Sequence, residues 1–262
     1  FPALSAAARR RLARRMWEHL FLLVLEVAQT PRKIHETNWR DFIKLKDEEF
    51  LVRRLLEGKP LLLVTGHLGN FEVGGYVLGI LGFQTYTIAR TLDNRYLDRF
   101  VNQFRSRTGQ FIIPKNGGYA QIRRVLAQQG ILTFLADQHA GPKGCWIEFF
   151  GRPASAHKAI ALLALEHRAA VSVSAVVRLQ RPMHFCLHNY AMFDPSGEHG
   201  PQKGEEKPSP YTSEELANVR EVTQWFTSRF EDLIRTIPEQ YWWIHRRWKD
   251  TRALRKRQKQ AA

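Results

Sequence analysis

The chain has 262 residues, 44% of them hydrophobic and 11% aromatic, enough to bury one substantial core and too apolar for a disordered polypeptide. Forty Lys and Arg against 25 Asp and Glu give a formal charge of +15, which selects anionic partners: nucleic acid, an anionic membrane or an acidic carrier protein. Cys145 and Cys186 are the only cysteines and have no paired spacing or nearby histidine cluster, so neither a disulfide framework nor a zinc site is indicated, and a reducing compartment is the simpler reading.

In chain order, Ser5 caps an expected helix reaching about Gln29, where Thr30-Pro31 stops it. Ala13, Trp17, Leu20, Val24 and Val27 form its apolar face, and Arg9, Arg10, Arg11, Arg14 and Arg15 crowd its first half. Such a helix suits an anionic membrane surface or packing on the core by its apolar stripe. From Leu61 onward, buried strands are expected at Leu61 to Thr65, Thr85 to Ala89, Phe111 to Ile113, Ile131 to Leu135 and Val171 to Val177. Helical patterns lie between them, near 71 to 80, 93 to 107, 117 to 129 and 156 to 169. The alternation predicts an α/β fold, a mainly parallel mixed sheet flanked by helices on both faces, with Met183 to Phe193 as an antiparallel edge strand. Asp194 to Tyr211 is nearly free of apolar residues and reads as a mobile loop; a helix capped at Thr212 or Ser213 then runs to about Thr236. Residues 1 to 250 read as one domain, with 251 to 262 a basic tail. The longest uncharged stretch, Val73 to Ala89, contains four glycines and makes a poor membrane span; a segment upstream of Phe1 is left open.

The segment LLLVTGHLGNFEVGG places His67 just after a strand and Glu72 five residues later. In one continuous helix these side chains would diverge by ~140°. On a strand, turn and helix, with Gly66 and Gly69 in the turn, Glu72 can return to one imidazole nitrogen and leave the other to take a proton from a hydroxyl. A second match to this spacing, His245 to Asp250, has no strand or glycine turn before it and reads as accidental.

Around this pair the chain resembles the late acyltransferases of lipid A biosynthesis, the lauroyl and myristoyl transferases within the glycerolipid acyltransferase superfamily, whose hallmark is H-x-x-x-x-D/E. The resemblance includes Arg90 with Asn94 and Asp98, Arg107-Thr108-Gly109, Ala136-Asp137-Gln138, Phe149 to Ala154 and PEQYWWIHRRWK from Pro238 to Lys249. It implies a glycerolipid-acyltransferase-like fold on the cytoplasmic face of the inner membrane, moving an acyl chain from acyl carrier protein to a lipid hydroxyl without a cofactor or metal. Carried over, His67 is the general base and Glu72 its orienting partner. Arg90 binds a phosphate of acceptor or donor, Asp137 belongs to the floor of the site, and Asn94, Gly69 and Asn70 join them as expected substrate contacts.

Departures from the family pattern are the missing N-terminal membrane helix and His157-Lys158, where small hydroxyl residues are expected. Phe149, Phe150 and Pro153 are expected to shape an acyl slot. An acyl-CoA donor, with a lysophospholipid or phosphoinositide-mannoside acceptor, is the alternative within the same chemistry. A basic nucleic-acid-binding protein is the alternative of another class, against which no recognised binding motif is present.

Overall fold

The computed structural model describes residues 4–196 and 216–249. Helix α1 (Ala6–Lys33) is followed by α2 (Trp39–Phe42), β1 (Ile43–Lys46) and α3 (Glu49–Leu56). Alternating elements follow: β2 (Leu61–Thr65), α4 (Phe71–Ile80), β3 (Thr85–Ala89), α5 (Arg95–Ser106), β4 (Gln110–Pro114), α6 (Tyr119–Ala127) and β5 (Ile131–Leu135). The hairpin β6 (Cys145–Phe149) and β7 (Arg152–Ala156) precedes α7 (Ala159–His167), β8 (Ala170–Arg178), β9 (Phe185–Phe193), α8 (Val219–Thr236) and a 3-10 turn at Pro238–Gln240.

Seven strands form one sheet in the order β1-β9-β8-β2-β5-β3-β4. The five from β8 to β4 run parallel, β9 is antiparallel to β8, and β1 is parallel to β9. Strand β2 lies near the middle and alternates between two cores. Leu62 and Val64 face α6, α7 and α8, whereas Leu61 and Leu63 face α1, α4 and α5. A period of two residues sends successive side chains to opposite faces, so a run of apolar residues is what a strand covered on both sides requires.

Four expectations about elements change. The antiparallel strand at 185–193 is not the edge, because β1 pairs outside it. Helix α1 continues through Pro31 to Lys33, since a proline in the last turn removes one N–H bond and leaves the next turn to close by Ile34 N–H donating to the Thr30 carbonyl (2.9 Å). The apolar face assigned to α1 is divided: Trp17 and Val24 are exposed, while Met16, His19, Leu23, Glu26 and Val27 are buried. The final helix is capped by Asn218, whose side chain accepts from the Arg220 and Glu221 N–H groups; the expected caps at Thr212 and Ser213, most of the Asp194 to Tyr211 loop and the basic tail lie outside the described residues.

Candidate active site

Strand β2 ends at Thr65, and residues 66–70 turn the chain into α4 at the carboxyl end of the parallel strands, where open α/β sheets bind ligands. Two glycines are required by their neighbours. A Cβ on Gly66 would lie 2.3 Å from the Phe230 ring, and one on Gly69, whose φ is +61°, would lie 2.1 Å from the Val176 carbonyl oxygen. The turn is bound on two sides: Asn70 N–H donates to the Val176 carbonyl (2.7 Å), Gly69 N–H to the Gln240 carbonyl (3.0 Å), and Trp242 N–H to the His67 carbonyl (3.0 Å).

His67 is held by Asp137, just past the end of β5, the strand beside β2. Its Nδ1 donates to Asp137 Oδ1 at 2.9 Å and its backbone N–H donates to Oδ2 at 2.9 Å. Burial raises the carboxyl pKa of Asp137, but the adjacent His67, its two hydrogen bonds and His245 outweigh that and hold it below the ordinary value. Asp137 is therefore an anion, which fixes the proton of His67 on Nδ1 and leaves Nε2 with a free lone pair. Rings confine the imidazole: Phe71 and Trp242 have centroids 5.0 Å away and His245 4.4 Å away. The His245 ring in turn stacks on Trp242. Burial, with His67 beside it, lowers the pKa of His245 and keeps it neutral.

The Glu72 to His67 pairing expected from the sequence is replaced by another. Both Glu72 oxygens are engaged by Arg105 of α5, with Nη2 donating to Oε1 at 2.6 Å and Nε to Oε2 at 2.9 Å. This fork ties α4 to α5, and Asp137 takes the orienting position. Asn70 is fully buried, its amide capping α4 through Val73 N–H and donating to Glu26, so it supports the turn from beneath. Gly69 gives the turn its close approach to β8. The Asn94 side-chain oxygen caps α5 by accepting from Tyr96 and Leu97 N–H. Arg90 stands exposed past the end of β3, paired with Asp93 at 3.1 Å. Phe149 is buried against Trp248 and under the Arg247 guanidinium. Buried Arg247 donates to the carbonyls of Gln138 and Ser155.

One ring nitrogen from each of His67 and His245 and an oxygen of Asp137 lie within 4.8 Å of one another. This is the trio among the described residues that could hold a metal ion. By spacing alone, His245 reads as an accidental match. The signal that could have found it is the block PEQYWWIHRRWK, which carries it back to the turn through Gln240 and Trp242.

The site so described is a histidine whose Nδ1 is bonded to a buried carboxylate at the carboxyl edge of an α/β sheet, an arrangement that can draw a proton from a hydroxyl. A model of bacterial lipid A biosynthesis acyltransferases matches residues 1–250, and the chain belongs to that family of acyltransferases. No curated protein matches it.

Proposed function

We propose that this protein moves a fatty acyl chain from an acyl thioester of acyl carrier protein to a hydroxyl of a lipid A precursor or related glycolipid, with His67 as general base and Asp137 as its orienting partner. The observation that carries the reading is the 2.9 Å bond between His67 Nδ1 and Asp137. Nε2 takes the hydroxyl proton, the oxygen attacks the thioester carbonyl carbon, and the intermediate expels the thiolate, which receives the proton from the imidazolium. Asp137 stabilises that imidazolium and keeps the productive tautomer.

The charge of +15 supports an acidic carrier as donor and an anionic membrane as the place of work. Exposed Arg90, whose surface ion pair with Asp93 contributes only ~0–1 kcal/mol, can exchange that partner for a substrate phosphate. No described helix is long and apolar enough to cross a membrane; the exposed side of α1 offers peripheral contact with lipid.

The test is acyl transfer by purified variants. His67→Ala should fold and lose ~100- to 10,000-fold in kcat. Asp137→Asn should come close to it because the tautomer is lost. Glu72→Gln should cost less than Asp137→Asn, acting through Arg105. His245→Ala should lower kcat by ~10-fold through looser confinement of the base. A folded His67→Ala protein with wild-type turnover would overturn the reading, and Glu72→Gln costing more than Asp137→Asn would overturn the assignment of the partner.

A further inference from the structure

Glu26 of α1 is 2% exposed and lies 41 residues upstream of His67 in sequence, yet its carboxylate is the hub of a buried polar cluster beneath the catalytic turn. Arg178, the last residue of β8, grips it with both arms of its guanidinium, Nε to Oε1 at 2.5 Å and Nη2 to Oε2 at 2.6 Å. Oε2 also accepts from Asn70 Nδ2 at 3.0 Å, and Oε1 from Met183 N–H at 3.1 Å. The third guanidinium nitrogen meets His19 Nδ1 at 2.6 Å, so α1 contributes two residues to the cluster.

We infer that Glu26 and Arg178 are positioning residues for the acyl-transfer reaction, through which α1 sets the conformation of the turn that carries His67. This rests on the reading of His67 as the base. Two routes lead from the pair to that residue. On the first, Asn70 is fixed at both ends of its amide: Nδ2 on Glu26, Oδ1 on the Val73 N–H at 3.3 Å. On the second, the peptide of Arg178 is clasped by Gln240, whose Oε1 accepts from the Arg178 N–H and whose Nε2 donates to its carbonyl, each at 2.8 Å. Gln240 then accepts from Gly69 N–H, and two residues on, Trp242 N–H binds the His67 carbonyl.

A buried ion pair is a weak source of net stability, because desolvation offsets its attraction, and replacing both members by apolar residues of similar volume is often neutral. Here two of the groups bonded to the pair, Asn70 and Gln240, lead to one turn. A base must be held to within a fraction of an ångström, and a 1 Å displacement costs ~100-fold in rate. The pair is thus placed to act on kcat rather than on substrate binding.

The experiment separates stability from turnover. Glu26→Gln alone leaves a buried arginine without its anion and should lower both the thermal midpoint and kcat. The double variant Glu26→Met/Arg178→Met should recover most of the midpoint while kcat stays ~10- to 100-fold down and KM remains within about twofold. Asn70→Ser serves if the double variant does not fold: serine still caps α4, the ion pair is untouched, and only the link from Glu26 to the turn is gone. It should show the same fall in kcat at unchanged KM.

Turnover that returns with the midpoint in the double variant, or wild-type kcat in Asn70→Ser, overturns the inference. His67→Ala is measured beside them with acyl-loaded carrier protein and a phosphorylated glycolipid acceptor. If His67→Ala is inactive and the positioning variants are normal, only this inference falls. If wild-type protein transfers no acyl chain, or His67→Ala transfers as well as wild type, the reading of the site falls and the inference with it.

Discussion

Glu72 and Asp137 are both carboxylates close to the His67 turn, and their partners divide the work between them. Glu72 looks out from the first turn of α4 toward Arg105, a cation 33 residues on that no local spacing announces, and its two oxygens are fully engaged there. Asp137 sits across the β2 to β5 ladder from the end of β2, so sheet pairing rather than sequence proximity brings it to His67. Several imidazoles around this core are kept neutral. Burial, with Arg178 beside it, lowers the pKa of His19 to about 4 against a raising effect of Glu26. Burial, with Lys115, Arg247 and His139 facing it, lowers that of His157 to about 4. Between about pH 6.5 and 4 the unfolded chain binds the additional protons, so stability is complete above pH 6.5, falls as the pH drops through this window, and levels off for these groups below 4. Urea unfolding from pH 7 to 4 should show that decline, and His157→Gln should flatten it. A slope unchanged in the variant would remove His157 from the account. His67 stands out in the sequence because a strand precedes it and Gly66 and Gly69 flank it in a turn. The sequence could not reveal Asp137 as the partner of His67 or His245 as its neighbour, because those proximities are created by pairing between elements.

At the scale of elements, strands built of apolar and β-branched residues are legible to the residue: β2, β3 and β5 fall where LLLVT, TYTIA and ILTFL lie. Strand β1 escaped because IKLK alternates with exposed lysines and resembles a surface segment. The β6-β7 hairpin escaped because Pro153 and the glycine turn interrupt its pattern. Helix α1 departs from the usual division, with polar His19 and Glu26 buried beside Met16, Leu23 and Val27, and with Trp17, Phe21, Val24 and Leu25 outside at 50, 69, 63 and 56% exposure. An outward aromatic face on a helix rich in exposed arginine fits a lipid surface, each basic residue near an anionic surface contributing ~1 kcal/mol, screened by salt. Replacing Arg10, Arg11 and Arg14 by Ala should weaken sedimentation with anionic vesicles most at low ionic strength, and Phe21→Ser should weaken it across the whole salt series. Binding insensitive to both changes would locate membrane contact elsewhere.

Across the whole molecule, the candidate site is assembled from distant parts of the chain. The turn after β2 supplies His67 and the residues just past β5 supply Asp137, the segment after the 3-10 turn adds neighbouring rings, and α1 adds the buried anion Glu26 under the turn. Closure of residues 240–242 over 67–69 is what joins the C-terminal part of the family match to the turn that carries His67. The most direct measurement is mass spectrometry of the lipids made when acyl-loaded carrier protein and a lipid A precursor are incubated with wild-type protein and with folded His67→Ala. The account predicts a product heavier by one acyl chain in ester linkage with the wild type and almost none with the variant. Equal product from both would contradict it.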